Sequence, residues 1–389
     1  MIKKIQKKRA NAVQRYLAGE APESICASLG KTTRWLYKWV SRYTHDDPRW
    51  CEGHSRRPLS SPHRTSAEIE DIVEMVRLSL YNKGLFCGNQ AIQWEMNDMA
   101  VQPIPSPSTI GRILRRRELT HRRTGRYEPK GKKYPELPAM KPNQTHQLDF
   151  VGPCYLTGQT RFYSLNAIDM AINRCGIEPI LSRSAQSVLA AVYTIWQRMG
   201  IPENLQVDNE LAFFGSPAHP RSMGPLIRLC LHYGVNLWFI PPSEPWRNGV
   251  IEKFNDHYRQ KFLGKVTMTS MVELQHESLA FEHRHNNTYR YSKIQGKTPL
   301  KALACTENKL VFPNKTKVPI HPLKKPKEGR YHFVRFIRSD LRLNIFGEVY
   351  SVPPEALYEY VVATIDVKEQ KLKLLLGKTQ LEEFNYPLR

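Results

Sequence analysis

Three acidic residues of this sequence lie where a plain surface role explains them poorly. Asp149 stands inside the apolar, strand-like run LDFV, and Asp208 ends a second such run, LQVD. Glu252 lies in the first turn of an amphipathic helix that follows the proline-rich stretch PPSEPWRNGV. A carboxylate among apolar strand residues is costly unless a cation or a hydrogen-bond donor balances its charge. We therefore expect the three carboxylates to share one site.

Three convergent carboxylates are suited to binding divalent cations. Mg²⁺ prefers oxygen ligands and keeps coordination positions for water and phosphate, and a pair of such ions can assist phosphodiester chemistry. The predicted cofactor is accordingly two Mg²⁺ ions, for which Mn²⁺ could substitute. Asp149, Asp208 and Glu252 are the predicted metal ligands and catalytic residues. Glu244 is a weaker candidate, because it lies on the irregular side of the helix start.

The helix that carries Glu252 has two distinct stripes. Apolar residues recur at helical spacing at Ile251, Phe254, Tyr258 and Phe262, which predicts a buried stripe. The opposite, polar stripe would collect Asn248, Glu252, Asn255, Asp256 and Arg259. Trp246 and the preceding prolines are expected to fix the entry of the helix, so that Glu252 points at the two aspartates.

The surrounding segment predicts an α/β core over residues 144–304. The runs THQLDFVG, RFYSLNAIDM and ENLQVDNE are typical of strands, whereas SAQSVLAAVYTIWQRMG and PLIRLCLHYGV are typical of helices. Asp208 would then lie at the carboxyl end of its strand, where α/β sheets usually place their sites.

Proline-rich linkers divide the rest of the chain. The predicted domains are a helix-turn-helix domain at 1–52, a second helix-turn-helix or winged-helix-like domain at 64–123, a basic linker at 124–143, the core at 144–304 and a small β domain at 330–389. The last one rests on alternating patterns such as LRLNIFGEVYSV, which indicate antiparallel strands of a small sheet or barrel.

Two helix-turn-helix patterns and a basic linker predict contacts with DNA. In each pattern a short helix follows a turn and presents polar or basic residues opposite its apolar ones. The residues expected to contact DNA are Thr33, Arg34, Tyr37 and Lys38 in the first pattern, Arg112, Arg115, Arg116 and Arg117 in the second, Arg122, Arg123, Lys130, Lys132 and Lys133 in the linker, and Lys253 and Arg259 beside Glu252.

Composition agrees with a polyanionic partner. Lys and Arg number 58 against 36 Asp and Glu, a net charge of +22. No apolar run is long enough for a membrane span, so we expect double-stranded DNA as the partner, no membrane association and an intracellular location. The seven cysteines are scattered without CxxC spacing, which predicts reduced thiols and no zinc site.

At these motifs the sequence resembles the DDE transposases of bacterial insertion sequences. HQLDFVGP, LQVDNELAFFG and PPSEPWRNGVIEKFN resemble the three acidic motifs of that family, and GKTPLKAL resembles the segment that often follows its core. The resemblance implies a ribonuclease-H-like core with a mixed sheet and flanking helices, and a catalytic triad of Asp149, Asp208 and Glu252. It also implies cleavage and joining of DNA at element ends, a homo-oligomer on DNA, and a bacterial cytoplasmic, nucleoid-associated location.

Two features depart from the family pattern. The stretch between Asp208 and Glu252 contains 43 residues, more than is common, which is consistent with a loop insertion at FFGSPAHPRSMG. Glu210 stands where glycine is common, and it offers a competing carboxylate.

Two other readings stay open at this stage. The chain could be a DNA-binding regulator with an inactive core, or a nuclease that hydrolyses DNA without joining it. A tyrosine recombinase fits poorly, because the HxxR spacing from His54 to Arg57 falls in a linker and no tyrosine is marked out as a nucleophile.

Overall fold

The structure is a computed structural model that describes residues 2–47, 49–52, 65–120, 133–215, 221–307, 309–314 and 319–389. These residues form two compact units, Met1–Thr65 and Ser66–Arg389. None of the helices in the described ranges is both long and apolar enough to cross a membrane.

The first unit is a three-helix bundle made of α1 (Ile2–Leu17), α2 (Pro22–Leu29) and α3 (Thr33–Val40). Gly30, with φ of 63°, ends α2 in the left-handed conformation, and the Thr32 side chain accepts a hydrogen bond from the Trp35 N–H to cap α3. Ala12, Ile25 and Leu36 bring the three helices together in a small core. The predicted helix-turn-helix is therefore present, with α1 as an additional helix.

The second unit begins with another helical trio, α4 (Ala67–Asn82), α5 (Asn89–Asp98) and α6 (Pro107–Arg116). These helices share a core that includes Val73, Ile92 and Ile110. The trio also packs against the segment that follows it, because the ring of Phe86 contacts His257 and Tyr289 at centroid distances of 4.9 and 5.0 Å.

The central segment supplies β1 (Thr145–Tyr155), β2 (Arg161–Asp169), β3 (Cys175–Ile180), α7 (Ala185–Met199), β4 (Asn204–Val207), α8 (Leu211–Phe214), α9 (Pro225–His232), β5 (Asn236–Phe239), α10 (Gly249–Tyr258), α11 (Met271–Thr288) and α12 (Pro299–Ala304). Strands β1, β2 and β3 are antiparallel neighbours, whereas β4 pairs parallel with β1, and β5 pairs parallel with β4. The sheet is therefore mixed, as predicted.

Helices cover both faces of this sheet. Leu148 and Phe150 of β1 pack in the cluster that holds α7 and α9, whereas Val151 packs in the cluster that holds α10 and α11. Because side chains alternate along a strand, Asp149 lies on the same face as Val151, under α10.

The carboxyl-terminal segment forms β6 (Arg330–Phe336), β7 (Arg342–Ile345), β8 (Glu348–Ser351), β9 (Tyr360–Asp366), β10 (Lys371–Leu376) and β11 (Thr379–Asn385). Strand β6 pairs parallel with β5, and the nine-stranded sheet runs β11-β10-β9-β6-β5-β4-β1-β2-β3. Strands β7 and β8 form a separate two-stranded sheet.

The structure thus differs from the predicted separate β-barrel-like domain at 330–389. Its strands exist, but four of them extend the core sheet. The alternating pattern predicts which face of a strand is buried, and it contains no information on which distant strand is the partner. Without β6, strand β5 would be an open edge with unpaired backbone groups, and pairing satisfies them.

Candidate active site

Asp149 lies in β1, and Asp208 directly follows β4, the parallel neighbour of β1. Gln147 of β1 stands opposite Gln206 of β4, and each aspartate follows its glutamine by two residues. Side chains two apart on a strand share a face, so Asp149 and Asp208 both lie on the face of the sheet that α10 covers. The same Gln-x-Asp spacing occurs in both strands, and it is the sequence signal that could have predicted this register.

Helix α10 runs along β1 and contacts it at two points. The Ile251 N–H donates to Gln147 Oε1 at 2.9 Å, and Asn255 Nδ2 donates to Asp149 Oδ2 at 2.8 Å. The four-residue step along the helix from Ile251 to Asn255 is about 6 Å, and the two-residue step along the strand from Gln147 to Asp149 is about 6.6 Å. The two hydrogen bonds can therefore form at the same time. Asn255 is also held from the other side, since its Oδ1 accepts from Asn166 Nδ2 at 2.8 Å.

The start of α10 is fixed by glutamine side chains rather than by Trp246. Gln147 Nε2 and Gln206 Nε2 both donate to the Arg247 carbonyl, at 3.3 and 2.9 Å. Asn248 Nδ2 donates to the Leu148 carbonyl at 3.3 Å. Trp246 is 52 % exposed, so the expectation that it anchors the helix entry is wrong.

The predicted polar stripe of α10 is correspondingly wrong at two positions. Asn248 and Asn255 are 3 % exposed, and they face the sheet. Amides are short enough to be buried when each donor and acceptor finds a partner, which hydropathy alone does not reveal. The apolar stripe of Ile251, Phe254, Tyr258 and Phe262 is buried as predicted.

Glu252 lies between these two asparagines on the helix surface. It follows Asn248 by four residues and precedes Asn255 by three, which is the spacing of neighbours on one side of a helix. Its carboxylate is half-buried and has no hydrogen bond or ion pair among the described residues. Burial and the nearby Asp256 charge raise the pKa of Glu252 above its usual value.

Burial and mutual repulsion perturb the two aspartates. Burial first, and then the Asp208 charge, raise the pKa of Asp149 to about 7, although the hydrogen bond from Asn255 opposes the shift. Burial also raises the pKa of Asp208, against the Glu210 N–H that donates to Asp208 Oδ1 at 3.1 Å and the Arg183 charge. Two partly desolvated carboxylates of like charge favour a bound cation.

The donor set therefore fits a divalent cation at Asp149 and Asp208, with Glu252 on the adjoining helix. In the described ranges, no three histidine, cysteine, aspartate or glutamate side chains meet in a metal-ligand arrangement. The structure brings the two aspartates together and places Glu252 on the adjoining helix. The three carboxylates do not converge on a single point.

The competing acids have partners of their own. Glu210 forms an ion pair with Arg183. Glu244 accepts from Arg247 Nε at 2.9 Å and from the Tyr360 hydroxyl at 2.9 Å. These contacts leave the two aspartates and Glu252 as the better candidates.

The first group of predicted DNA contacts lies on the open side of α3. Thr33, Arg34, Tyr37 and Lys38 are all exposed, whereas Leu36 and Trp39 are buried. The helix is therefore able to present this group to a DNA groove.

The four arginines of the second group are not equivalent. Arg116 pairs with Glu70 at 2.7 Å, and Arg117 pairs with Asp71 and Glu74 at 2.6 Å each. Arg112 and Arg115 are exposed and form no ion pair among the described residues. Arg116 and Arg117 thus hold α6 against α4. Arg112 and Arg115 are the two residues of the predicted basic face that are accessible to a DNA phosphate.

The remaining predicted contacts are scattered. Lys253, Arg259 and Lys133 are exposed. Arg122, Arg123, Lys130 and Lys132 lie outside the described residues.

Replacing Arg112 and Arg115 together by alanine should weaken DNA binding and flatten its dependence on salt. Each phosphate contact that is lost lowers the slope of log K against log salt by about 0.9 for B-DNA. The measurement is fluorescence anisotropy on one duplex at several salt concentrations. Arg117→Ala serves as the matched control, and we expect it to lower the melting temperature more than the salt slope. Equal slopes for wild type and the double variant would contradict the assignment.

Two family models match parts of the chain. Residues 233–299 match the integrase core domain, and residues 6–53 match a homeodomain-like domain. The first match includes Glu252 and α10, and the second begins within α1 and includes α2 and α3. Together they support a role in DNA integration or transposition, a combination consistent with a DDE transposase.

Solved structures give a weaker likeness. The magnesium complex of the HTLV-2 integrase catalytic core domain in its trimeric form is 15 % identical, with a TM-score of 0.33, covering 42 % of this chain and 99 % of that one. The catalytic core domain of BIV integrase is 20 % identical, with a TM-score of 0.30, covering 42 % and 94 %. Likenesses of this size carry no argument about the site.

Proposed function

We propose that this chain is a DDE-type transposase that binds the ends of an insertion element, cleaves one strand there and joins the freed end to target DNA. The observation that carries the proposal is the pair of interacting aspartates, Asp149 in β1 and Asp208 just after β4, with Asp149 bound by the helix that bears Glu252. The homeodomain-like match and the exposed face of α3 supply the DNA-binding part.

Each side chain has a defined task in this proposal. Asp149, Asp208 and Glu252 would hold two Mg²⁺ ions, which supply Lewis acidity to the attacking and leaving oxygens. Asn255 binds Asp149 Oδ2 and so fixes the orientation of that carboxylate. Burial of the aspartates limits the water that competes for the reacting phosphate.

The chemistry requires two displacements at phosphorus. In the first, a water oxygen attacks the phosphodiester, the bond to the 3′-oxygen breaks, and that oxygen leaves as a 3′-hydroxyl. In the second, the 3′-hydroxyl oxygen attacks a target phosphodiester, loses its proton and displaces the target's own 3′-oxygen. Neither step forms a covalent bond to the protein.

The two steps allow a direct test. Duplexes selected from a random pool by binding to the full chain would be incubated with Mg²⁺ and a supercoiled plasmid. We expect a nick in the selected duplex and its joining to the plasmid. Nicks without joined product would favour a nuclease, and binding without nicks would favour a regulator with an inactive core.

In the metal-free protein, the raised pKa of Asp149 should make stability depend on pH. The folded carboxyl keeps its proton up to about pH 7, whereas the unfolded one loses it near pH 4. This group therefore favours folding at low pH, and the contribution is lost as pH rises through 7. We expect Asp149→Asn to melt several degrees above wild type at pH 8 in EDTA, with a smaller difference at pH 5.

Thermal melts of the full chain provide the measurement. Asp256→Asn, a change at an exposed position of α10, should show a much smaller pH-dependent gain. Added Mg²⁺ should raise the melting temperature of wild type at pH 8 and leave Asp149→Asn nearly unchanged. A constant difference across pH would mean that Asp149 is not perturbed by its surroundings.

A further inference from the structure

A cleft of about 540 Å³ opens at the edge of the sheet where β4, β5 and β6 end, and Asn209, the residue after Asp208, is part of its lining. Its walls are Asn209, the loop after β5 and the segment from β6 to the β7–β8 turn. Asn209 directly follows Asp208, so the Cα atoms of this lining residue and of the proposed metal ligand are about 3.8 Å apart. Its volume lies in the range of sites that hold small molecules, roughly 300–1,000 Å³.

One side of the cleft is positively charged. Arg338 and Arg342 are exposed there and form no ion pair among the described residues. Arg335 lies deeper, donating to Asn209 Oδ1 at 3.0 Å and to the Ile240 carbonyl at 3.2 Å, and it pairs with no carboxylate among the described residues. The one acid of the lining, Glu244, is already neutralised by Arg247. The cleft therefore attracts an anion.

The other side is aromatic and held rigidly. Phe346 packs against Phe333 and Phe214 at centroid distances of 5.1 and 5.2 Å, and Phe336 packs against Tyr360 at 5.0 Å. Both Phe336 and Phe346 stay half-buried and line the cleft. Fixed aromatic rings beside basic groups are what proteins use to bind unpaired nucleotides, because every base has a flat face for stacking.

We propose that this cleft binds one unpaired nucleotide of the DNA strand next to the phosphodiester at Asp208, with its base against Phe336 and Phe346 and its phosphate at Arg338 and Arg342. The assignment rests on the proposed function, because that function brings DNA to this edge of the sheet. A paired base is covered on both faces by its neighbours in the duplex, so only an unstacked one can reach the aromatic wall.

The test compares two ligands that differ only in an unpaired extension. The full chain, in EDTA so that no cleavage occurs, would be titrated with a blunt duplex and with the same duplex carrying a three-nucleotide single-stranded tail. We expect wild type to bind the tailed duplex about tenfold more tightly, the size of effect that one base–aromatic stack gives. A 2-aminopurine in the tail should lose fluorescence on binding, because the base stacks on a ring.

The double variant Arg338→Ala/Arg342→Ala should lose the preference for the tail and keep its affinity for the blunt duplex. Its matched control is Lys327→Ala/Lys368→Ala, which removes the same charge at exposed positions near the opposite end of β6, and it should keep the preference. Absence of a tail preference in wild type would overturn the proposal. An equal loss for both ligands in the arginine variant would also overturn it, and would indicate a contact with the duplex backbone.

Failure of this inference is distinguishable from failure of the proposed function. The binding test needs no catalysis, whereas Mg²⁺-dependent nicking needs no tail preference. A nicking enzyme without the preference would refute only the cleft assignment. A protein with the preference that never nicks would refute only the transposase.

Discussion

Glu252→Gln is expected to lower Mg²⁺-dependent DNA cleavage by roughly a thousandfold, and Asp149→Asn and Asp208→Asn should do the same. Each change removes a charge that the proposal places at the reacting phosphate, and losses of this order follow when such a group is removed. DNA affinity should be unchanged or slightly higher, because a carboxylate that repels phosphate has gone. Single-turnover cleavage and anisotropy on the same duplex measure the two effects.

The control lies on the same helix. Asp256 is exposed and follows Glu252 by four residues, so Asp256→Asn should cleave nearly as well as wild type. Full cleavage by Glu252→Gln would remove Glu252 from the site and leave a centre built on the two aspartates alone.

The second large effect is expected at Asn255. Asn255→Leu keeps the side chain's size but leaves Asp149 Oδ2 without its donor and the buried Asn166 amide without its acceptor. Each unsatisfied buried group costs about 1–3 kcal/mol, so the loss of two partners should lower the free energy of unfolding by roughly 2–6 kcal/mol. Cleavage should also fall by about 10- to 100-fold, as is typical when a group that orients a metal ligand is lost.

Two measurements separate the structural from the positioning role of Asn255. Denaturant unfolding gives the loss of stability, and Mg²⁺ titration of cleavage at a temperature where the variant is fully folded gives the loss of metal affinity. Asn287→Leu on the exposed side of α11 is the matched control and should change neither quantity. An Asn255→Leu protein with normal Mg²⁺ dependence would restrict Asn255 to a packing role.

Local patterns predicted most elements around the site. The strands that carry Asp149 and precede Asp208, and the helix that carries Glu252, lie where hydrophobic periodicity puts them. Periodicity works here because each element buries one face, and the exposed residues of α3 followed from the same reasoning.

What local patterns missed depends on contacts between distant residues. From the sequence alone, Asn255 is predicted to be a polar surface residue. Its hydrogen-bond partners Asp149 and Asn166 lie 106 and 89 positions away in the sequence, so no local pattern indicates them. The pairing of Arg117 with Asp71 and Glu74 of α4 likewise spans 46 and 43 positions. The junction of β5 with β6 joins segments almost a hundred residues apart, which no alternation of apolar residues specifies.

Because the nine-stranded sheet is continuous, its carboxyl-terminal strands support the proposed active site. Arg335, on β6, reaches across to Asn209, so the turn that presents Asp208 is braced by a residue more than a hundred positions later. We therefore expect a protein shortened after α12 to be inactive. Its strand β5 would lose the partner strand β6, and the loop after Asp208 would lose its hydrogen bond from Arg335. The core and the carboxyl-terminal strands belong to one compact unit, so we expect them to fold together.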